Sequence, residues 1–506
     1  MRTGRFICTL SLGLLCIGAV GGSVASAAPG DIDRTFGREG STTLPNGSDG
    51  YLAPNDMVIG PDDAIYVLRT GTACRPFSTC FLTRFVSRFD ANGRLDASFG
   101  QGGTSTAPGG EDGSRDAAAF ALGSDGKIIV ASASGKGLVL ARLDPDGGTD
   151  RSFGNGGSSF ANLGAEVDRV RVAIAPDGGI VVAAESGLAY SEPVVFVARY
   201  TPNGFPDPTF HGGAPMFTTL GSGFGGFDLD GRGRILVAGP HCCPAGGSSV
   251  HISRFDTNGA FDQRFAPAGQ RFIDDVAPAA AVGELIVRRD GRIVVVGAGR
   301  NGHMFALRLR GGLDRRFGNR GITHAKTDFT GDTGAALDRH GRIVIIGASL
   351  NKRSGGFLGV GLLRRLADGR PDRSFGGGGT IRVKSGDEAR FVAVGTQSDD
   401  GIVVLSTVGE CMRSCVPPKT TLIRYVGGSS GARCFGRKAT IVGTRNGDRL
   451  IGTRQRDVIA AQAGNDVVRG RGGNDLICGG RGNDRLLGGG GRDRLLGGAG
   501  RNQIAQ

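Results

Sequence analysis

The C-terminal end of the chain, residues 443–505, is a nine-residue unit repeated seven times in unbroken register. Each unit has an acidic or amide residue at its sixth place and an aliphatic residue at its eighth place. The sixth places are Asp448, Asp457, Asp466, Asp475, Asp484, Asp493 and Asn502, and the eighth places are Leu450, Ile459, Val468, Ile477, Leu486, Leu495 and Ile504. The Gly-rich part of each unit favours a tight turn, because Gly adopts positive φ without steric cost. The remaining residues favour a short strand, so we predict a parallel β-roll with two units per turn.

These units resemble the RTX (hemolysin-type) calcium-binding repeat, whose consensus is G-G-x-G-x-D-x-U-x. The resemblance implies that unit n stacks on unit n+2, so that carboxylates and main-chain carbonyls form an all-oxygen shell suited to Ca²⁺. The metal ligands that it implies are Asp448, Asp457, Asp466, Asp475, Asp484 and Asp493. The loops nearest to the consensus, which also contribute backbone, are Gly464-Asn465-Asp466, Gly473-Asn474-Asp475 and Gly482-Asn483-Asp484.

An empty solenoid is the alternative interpretation, because the glycines can be kept for turn geometry alone. Arg456, Arg492 and Arg501 occupy the fifth place, where the family pattern has Asn or Asp. From residue 443 onward the chain has 11 Arg, no Lys, 6 Asp and no Glu, a formal charge of +5. Repulsion from these arginines is expected to weaken calcium binding, toward the Kd of about 10⁻⁴–10⁻³ M that extracellular modules have.

The first 27 residues have the three parts of a secretory signal peptide. Arg2 and Arg5 precede an apolar stretch from Phe6 to about Val24, and Ala25-Ser26-Ala27 offers a cleavage site. A retained signal anchor is the alternative. No later stretch approaches the roughly 18 apolar residues of a membrane span, so we expect a secreted, extracellular bacterial protein. The RTX toxins lack such a signal, and the resemblance therefore does not extend to toxin activity.

Eight cysteines remain after the predicted signal peptide, and an even number in an exported chain favours disulfides. Proximity suggests Cys74–Cys80 and Cys411–Cys415, while Cys434–Cys478 would tie the linker to the roll. Cys242 and Cys243 are adjacent and either form a vicinal pair or stay free.

A second array, residues 31–426, precedes the roll. Seven Phe residues, usually followed by Gly and preceded by Asp, recur at spacings of 52 to 63 residues: Phe36, Phe99, Phe153, Phe210, Phe265, Phe317 and Phe375. Seven aliphatic runs and seven Arg residues recur with them; the Arg residues are Arg88, Arg142, Arg199, Arg254, Arg308, Arg365 and Arg424. Such a period, built of short β-runs and Gly turns, predicts one four-stranded blade per repeat and a seven-bladed β-propeller. Because they are present in nearly every blade, we interpret the repeated Asp and Phe as scaffold.

The two ends of this array complement each other. Asp33, Phe36 and Gly37 have no strand before them, and Arg424-Tyr425 has no Phe-Gly after it. We therefore predict that residues 35–44 complete the last blade and close the ring. The array resembles the delta-60 repeat family of bacterial secreted proteins, which implies a β-propeller without an assigned activity.

The predicted fold class is all-β, a seven-bladed propeller followed by a parallel β-roll. The predicted segments are a signal peptide (1–27), the propeller (31–426), a linker (427–442) and the roll (443–505). We place the propeller cysteines in loops between the third and fourth strands of blades one, four and seven.

The sequence contains no catalytic motif in a credible structural context. A G-x-S-x-G match at 427–431 lies in the Gly/Ser linker, and a G-x-G-x-x-G match at 297–302 is followed by a hairpin where a phosphate site needs a helix. The net charge of +13 is spread along the chain, which favours nonspecific attraction to anionic polymers over specific binding of nucleic acid.

We therefore predict a monomeric, calcium-stabilised binding protein whose propeller recognises an unknown extracellular protein or glycan. The alternative is a metal-dependent hydrolase or lactonase, by analogy with other propellers. Carboxylates or His from several blades lining the central channel would favour it, and the repeats offer only turn aspartates.

Overall fold

The computed structural model divides into two compact units between residues 431 and 432. It describes residues 29–45, 52–74, 80–108, 117–187, 193–221, 223–242, 248–274, 276, 281–288, 290–299, 303–310, 312–326, 329–350, 357–383, 389–408, 419–427, 433–439, 441–443, 447–462 and 464–506. No helix in these ranges is long and apolar enough to cross a membrane.

The first unit is a seven-bladed β-propeller. Its strands are β1 (Ser41–Thr43), β2 (Ala53–Ile59), β3 (Ile65–Cys74), β4 (Cys80–Phe89), β5 (Thr104–Ala107), β6 (Ala118–Leu122), β7 (Ile128–Ser134), β8 (Gly137–Leu143), β9 (Ser158–Asn162), β10 (Arg169–Ile174), β11 (Ile180–Ser186), β12 (Val194–Tyr200), β13 (Met216–Thr219), β14 (Gly226–Leu229), β15 (Ile235–Cys242), β16 (Ser248–Phe255), β17 (Gln270–Ile273), β18 (Ala281–Val287), β19 (Ile293–Gly299), β20 (His303–Arg310), β21 (Gly312–Leu313), β22 (Ile322–Lys326), β23 (Phe329–Leu337), β24 (Ile343–Leu350), β25 (Phe357–Arg365), β26 (Thr380–Val383), β27 (Ala389–Thr396), β28 (Ile402–Val408) and β29 (Lys419–Tyr425). Short 3-10 turns lie at His211–Gly213 and Pro267–Gly269.

Each blade is an antiparallel sheet, as the repeats predict. The blades are β2–β5, β6–β9, β10–β13, β14–β17, β18–β22, β23–β26, and β27–β29 with β1. Apolar cores lie between neighbouring sheets; for example, Leu140 of the second blade packs in one cluster with Val182 of the third.

The N-terminal strand closes the ring, as predicted. β1 pairs antiparallel with β29, with Ser41 opposite Ile423 and Thr43 opposite Thr421. Arg424 Nη1 also forms an ion pair with Asp33 Oδ2 at 2.9 Å, across a sequence separation of 391 residues. The seventh blade is therefore built from both ends of the propeller.

A repeated Arg–Asp–Phe contact links each blade to the next one. In the second blade, Arg142 Nε lies 2.7 Å from Asp150 Oδ2, and the guanidinium carbon lies 4.8 Å from the centre of the Phe153 ring. Phe153 is fully buried and lies against Gly204 of the following blade, where any Cβ would collide with the ring. The equivalent ion pairs are Arg88–Asp96, Arg199–Asp207, Arg254–Asp262, Arg308–Asp314, Arg364–Asp372 and Arg424–Asp33. These residues are scaffold.

Two details differ from the sequence-based predictions. The sixth blade uses Arg364, not Arg365, because Arg364 occupies the register position that faces Asp372. The cysteine loops follow the second strand of a blade. Cys74 is the last residue of β3 and its backbone lies opposite that of Cys80, the first residue of β4, and Cys242 is the last residue of β15. Cys411 and Cys415 lie outside the described residues.

Loss of a buried Arg from this contact is expected to be costly. The Arg364 side chain is 0% exposed and its partner Asp372 is 6% exposed, so Arg364→Met leaves a buried carboxylate without a counterion. We expect this variant to lose about 3–5 kcal/mol in the free energy of unfolding, measured by chemical denaturation. The exposed pair Arg370–Asp368 is the matched control, and Arg370→Met should cost less than about 1 kcal/mol. Equal losses would contradict the assignment.

The second unit is the predicted β-roll, in which successive short strands alternate between two parallel sheets. Its strands are β30 (Arg433–Cys434), β31 (Arg437–Lys438), β32 (Ile441–Val442), β33 (Arg449–Ile451), β34 (Val458–Ala460), β35 (Val467–Gly472), β36 (Leu476–Arg481), β37 (Arg485–Gly490), β38 (Arg494–Ala499) and β39 (Gln503–Ala505). Alternate units stack, giving one parallel sheet of β32, β34, β36 and β38 and another of β33, β35, β37 and β39. The eighth-place residues Ile459, Val468, Ile477 and Leu486 are fully buried between the sheets.

A small hairpin covers one sheet of the roll. β30 and β31 pair antiparallel, and a disulfide joins Cys434 to Cys478 on β36 with a Cα–Cα distance of 5.6 Å. Cys434 packs with Val458 and Leu476 of that sheet. Residues 433–439 and 441–442, which the sequence analysis assigns to the linker, therefore pack with the roll.

Candidate functional site

The sixth-place aspartates stack along the two edges of the roll that carry the turns. In each stack, the Oδ1 atom of one aspartate accepts a hydrogen bond from the main-chain N–H of the aspartate 18 residues earlier, at 2.8 to 3.0 Å. The pairs are Asp448 with Asp466, Asp457 with Asp475, Asp466 with Asp484, and Asp475 with Asp493. One carboxylate oxygen is thus used to hold successive turns together.

The second carboxylate oxygen is buried and has no hydrogen-bond partner within the described part of the chain. This holds for Oδ2 of Asp466, Asp475, Asp484 and Asp493. Main-chain carbonyls lie close by: a Cβ built on Gly470 would touch both Asp475 Oδ2 and the Gly488 carbonyl oxygen. A buried charged oxygen without a partner raises the free energy of the folded state, so the space beside each of these Oδ2 atoms is suited to a bound cation.

Asn502 shows what this position requires. Its Oδ1 accepts the N–H of Asp484 at 2.8 Å, as an aspartate would. Its Nδ2 donates to the carbonyls of Gly498 and Gly500 at 3.2 and 3.4 Å. Where the last unit has this amide donor, Asp466, Asp475, Asp484 and Asp493 have a buried carboxylate oxygen that no donor of the described chain reaches.

The electrostatics of the stacks agree with this interpretation. Burial, together with the neighbouring Asp484 and Asp448 carboxylates, raises the pKa of Asp466 to about 7. Burial also raises the pKa of Asp475 and of Asp484. Because these folded-state pKa values lie above the ordinary value, ionisation destabilises the metal-free roll as the pH rises toward 7.

The two N-terminal sites differ from the others. Asp457 Oδ2 accepts hydrogen bonds from the N–H and the hydroxyl of Thr453 at 2.6 and 3.0 Å, so its second oxygen is already used. Asp448 is half-buried. The four sites with an unpartnered oxygen are therefore the three cleanest loops of the sequence and Asp493.

The predicted loop residues hold the turns. Gly464, Gly473 and Gly482 have φ of 104°, 108° and 126°, which only Gly adopts easily. The side chains of Asn465, Asn474 and Asn483 are exposed, and their Oδ1 atoms accept N–H groups of the next stacked turn at 2.8 to 2.9 Å. Within the described ranges, no group of three or more His, Cys, Asp or Glu side chains could hold a metal ion.

The central channel of the propeller contains a charged cluster that the sequence did not predict. Asp56, Arg171, Asp228 and Glu284 lie on the innermost strands β2, β10, β14 and β18, and all are half-buried. Glu284 interacts electrostatically with the other three. A shift of strand register, typical of a bulge, directly precedes both Asp56 and Glu284, and bulges re-aim side chains.

Burial raises the pKa of all three carboxyl groups of this cluster. Burial raises the pKa of Glu284 to about 7, with opposition from Arg171 and support from Asp56 and Asp228. Burial raises the pKa of Asp228 to about 6, although its Oδ2 accepts the N–H of Val287 at 2.6 Å. An acidic residue inside a short apolar strand was the available sequence signal. It has no period, because Asp56 and Glu284 lie three residues before the ends of β2 and β18, whereas Asp228 lies one residue before the end of β14.

Comparisons with known proteins agree with both units. Residues 442–477 and 478–504 match the family described as RTX calcium-binding nonapeptide repeat. Residues 123–153 and 175–210 match the family described as domain of unknown function (DUF5122) beta-propeller. No curated protein sequence matches the chain.

Several solved structures resemble the chain at low sequence identity. One is the β-propeller domain of the Trilobed protease from Pyrococcus furiosus, at 10% identity and TM-score 0.40, covering 74% of this chain and 96% of that one. Another is the polysaccharide lyase Uly1, at 10% identity and TM-score 0.41, covering 77% and 92%. A protein of unknown function from Dyadobacter fermentans has 14% identity and TM-score 0.36, covering 61% and 93%. By its family matches, this chain carries a β-propeller of the DUF5122 type and a C-terminal array of RTX calcium-binding nonapeptide repeats.

Proposed function

We propose that this is a secreted protein whose C-terminal roll binds Ca²⁺ at Asp466, Asp475, Asp484 and Asp493 and whose propeller binds an extracellular protein or glycan. The observation that carries the calcium assignment is the set of four buried, unpartnered Oδ2 atoms, with main-chain carbonyls close to those of Asp475 and Asp484. Hard oxygen ligands of this kind suit Ca²⁺. The predicted signal peptide and the repeat family support secretion.

Calcium bound beside the Oδ2 atoms of these four aspartates stabilises the roll by neutralising carboxylates that otherwise repel each other. Because the folded roll binds the metal and the unfolded one does not, the stability of the roll should rise with free Ca²⁺ by mass action. The propeller, by contrast, has hydrogen-bonded and ion-paired blades of its own. Calcium therefore acts as a folding cofactor of the roll.

Titration calorimetry of the chelated full-length chain tests the calcium assignment. We expect a heat of Ca²⁺ binding with a Kd of about 10⁻⁴–10⁻³ M, and a weaker response to Mg²⁺, which demands a stricter octahedral geometry. The control variant Gln503→Ala, at an exposed residue of β39 outside the turns, should keep this heat. No heat with Ca²⁺, in a roll that is folded in chelator, would identify an empty solenoid.

A second candidate function is metal-dependent hydrolysis in the propeller, as a hydrolase or lactonase. The channel cluster of Asp56, Arg171, Asp228 and Glu284 favours it, because a carboxyl with a pKa near neutrality is suited to general acid–base work. A panel of lactones and esters, assayed with added divalent metals, tests this candidate. Turnover that is lost in Asp56→Asn and Glu284→Gln would support it, and no turnover by the native chain would exclude the tested substrates.

A further inference from the structure

The surface charge of the roll is of one sign. All ten described arginines from Arg449 onward are exposed, while Asp457, Asp466, Asp475, Asp484 and Asp493 are buried and Asp448 is half-buried. The negative charges therefore point into the turns and the positive charges point into solvent. This separation gives the roll a cationic exterior, whether or not the turns hold a metal.

The two sheets of the roll differ in what covers them. The sheet that contains β34, β36 and β38 is covered by the β30–β31 hairpin, through the Cys434–Cys478 disulfide and the apolar contacts of Cys434 with Val458 and Leu476. Its outward Arg494 lies 4.3 Å from the centre of the Phe435 ring. This sheet is therefore occupied by the protein's own chain.

The opposite sheet carries an ordered set of arginines. Arg449, Arg469 and Arg485 lie on the successive strands β33, β35 and β37, on the seventh, ninth and seventh places of their units. Since neighbouring strands are about 4.8 Å apart, the three guanidinium groups form a zigzag with one charge per strand. All three side chains are exposed, and within the described residues none forms an ion pair. We call Arg449, Arg469 and Arg485 the arginine face.

The residues around the arginine face discriminate between anionic polymers. The outward positions beside it are Val467, Gln503, Ile451, Leu487 and Ala505. None of these is aromatic, so the face lacks the platforms on which single-stranded nucleic acid stacks its bases. Aliphatic side chains between planar guanidinium groups suit the apolar faces of sugar rings, and guanidinium pairs with carboxylate or sulfate through two parallel hydrogen bonds.

We propose that the arginine face is a binding surface for an acidic polysaccharide, an extended chain whose carboxylate or sulfate groups pair with Arg449, Arg469 and Arg485 on successive strands. The surface is distinct from the turn edges that carry the aspartates. It adds a ligand class to the roll and does not require the propeller.

Binding of the full-length chain to chondroitin sulfate, with uncharged dextran as the negative control, tests this proposal. We expect binding by biolayer interferometry in the presence of Ca²⁺, and loss of binding as salt screens the charges. The triple variant R449Q/R469Q/R485Q should bind about tenfold more weakly, because it lacks three exposed charges, each of which contributes modestly to a charge pair. The matched control R454Q/R471Q/R481Q removes three exposed charges outside the face and should keep most of the affinity.

Three results would overturn the proposal: no binding of chondroitin sulfate, equal loss in the two triple variants, or binding of duplex DNA as tight as that of the polysaccharide. Circular dichroism with Ca²⁺ confirms that each variant is folded. The variant R449K/R469K/R485K keeps the charge, and weaker binding by it supports paired guanidinium contacts, whereas unchanged binding points to diffuse charge and counts against the ordered face. Titration of the native chain with Ca²⁺, followed by circular dichroism, separates this surface from the calcium sites, because a roll that folds with Ca²⁺ and still does not bind the polymer counts against the arginine face alone.

Discussion

Replacing Asp466, Asp475 and Asp484 together with Ala should keep the roll unfolded at any calcium concentration. No nine-residue unit buries more than two aliphatic side chains larger than Ala, which is too little apolar area to order a Gly-rich chain whose backbone entropy costs about 1–2 kcal/mol per residue. The Ala variant also loses the Oδ1 hydrogen bonds that join successive turns. Circular dichroism of residues 434–506 should show little β-signal in chelator, a cooperative gain with Ca²⁺ in the native segment, and no gain in the variant.

The matched variant changes the same three residues to Asn. Asn502 already occupies this position in the last unit, where its Oδ1 keeps the stacking hydrogen bond and its Nδ2 donates to Gly498 and Gly500. We therefore expect the Asn variant to fold better than the native segment in chelator and to respond little to Ca²⁺. If both variants fail to fold, or both still respond to Ca²⁺, the role assigned to Oδ2 is wrong.

Deleting residues 31–44 should open the propeller. The deletion removes β1, which leaves the outer edge of β29 unpaired, and removes Phe36, which is fully buried between the seventh and first blades. An exposed strand edge is a template for association with other chains, so we expect aggregation and a large loss of thermal stability. Light scattering during thermal unfolding measures both effects.

Two substitutions separate ring closure from loss of packing. Phe36→Ala removes the phenyl group between the seventh and first blades but keeps β1. Phe99→Ala makes the same change at the equivalent, fully buried position between the first and second blades. Both should cost about 3–5 kcal/mol in the free energy of unfolding without aggregation at low temperature. A deletion variant that stays monomeric with unchanged melting would argue for an open array.

The repeated parts of the molecule were predictable because repetition makes each physical requirement visible several times. An Asp followed three residues later by Phe, as in Asp150 and Phe153, recurs in every blade. The turn that this pair forms can therefore be recognised without a structure. The Arg of the sixth blade was assigned one residue too far, since Arg364 and Arg365 are adjacent and only the register of β25 decides which one faces Asp372.

The parts that could not be predicted depend on contacts between distant residues. Asp56, Asp228 and Glu284 do not belong to the repeated motif. Only the assembly of several blades around one channel brings them together with Arg171. The covered and uncovered sheets of the roll could not be distinguished either, because the hairpin that covers one of them lies in a segment that reads as linker. In the same way, the sequence alone does not show that the Asn502 amide donates to the carbonyls of Gly498 and Gly500.

Closure of the ring by β1 has a consequence for how the protein is made. The ion pair between Asp33 and Arg424 spans 391 residues, so this contact cannot form until almost the whole propeller has been synthesised. Each of the other blades consists of consecutive strands and can assemble from local hairpins, whereas long-range pairing comes late because of its loop-closure entropy. A chain that stops before β29 has no partner for its first strand, so its ring stays open at the seventh blade.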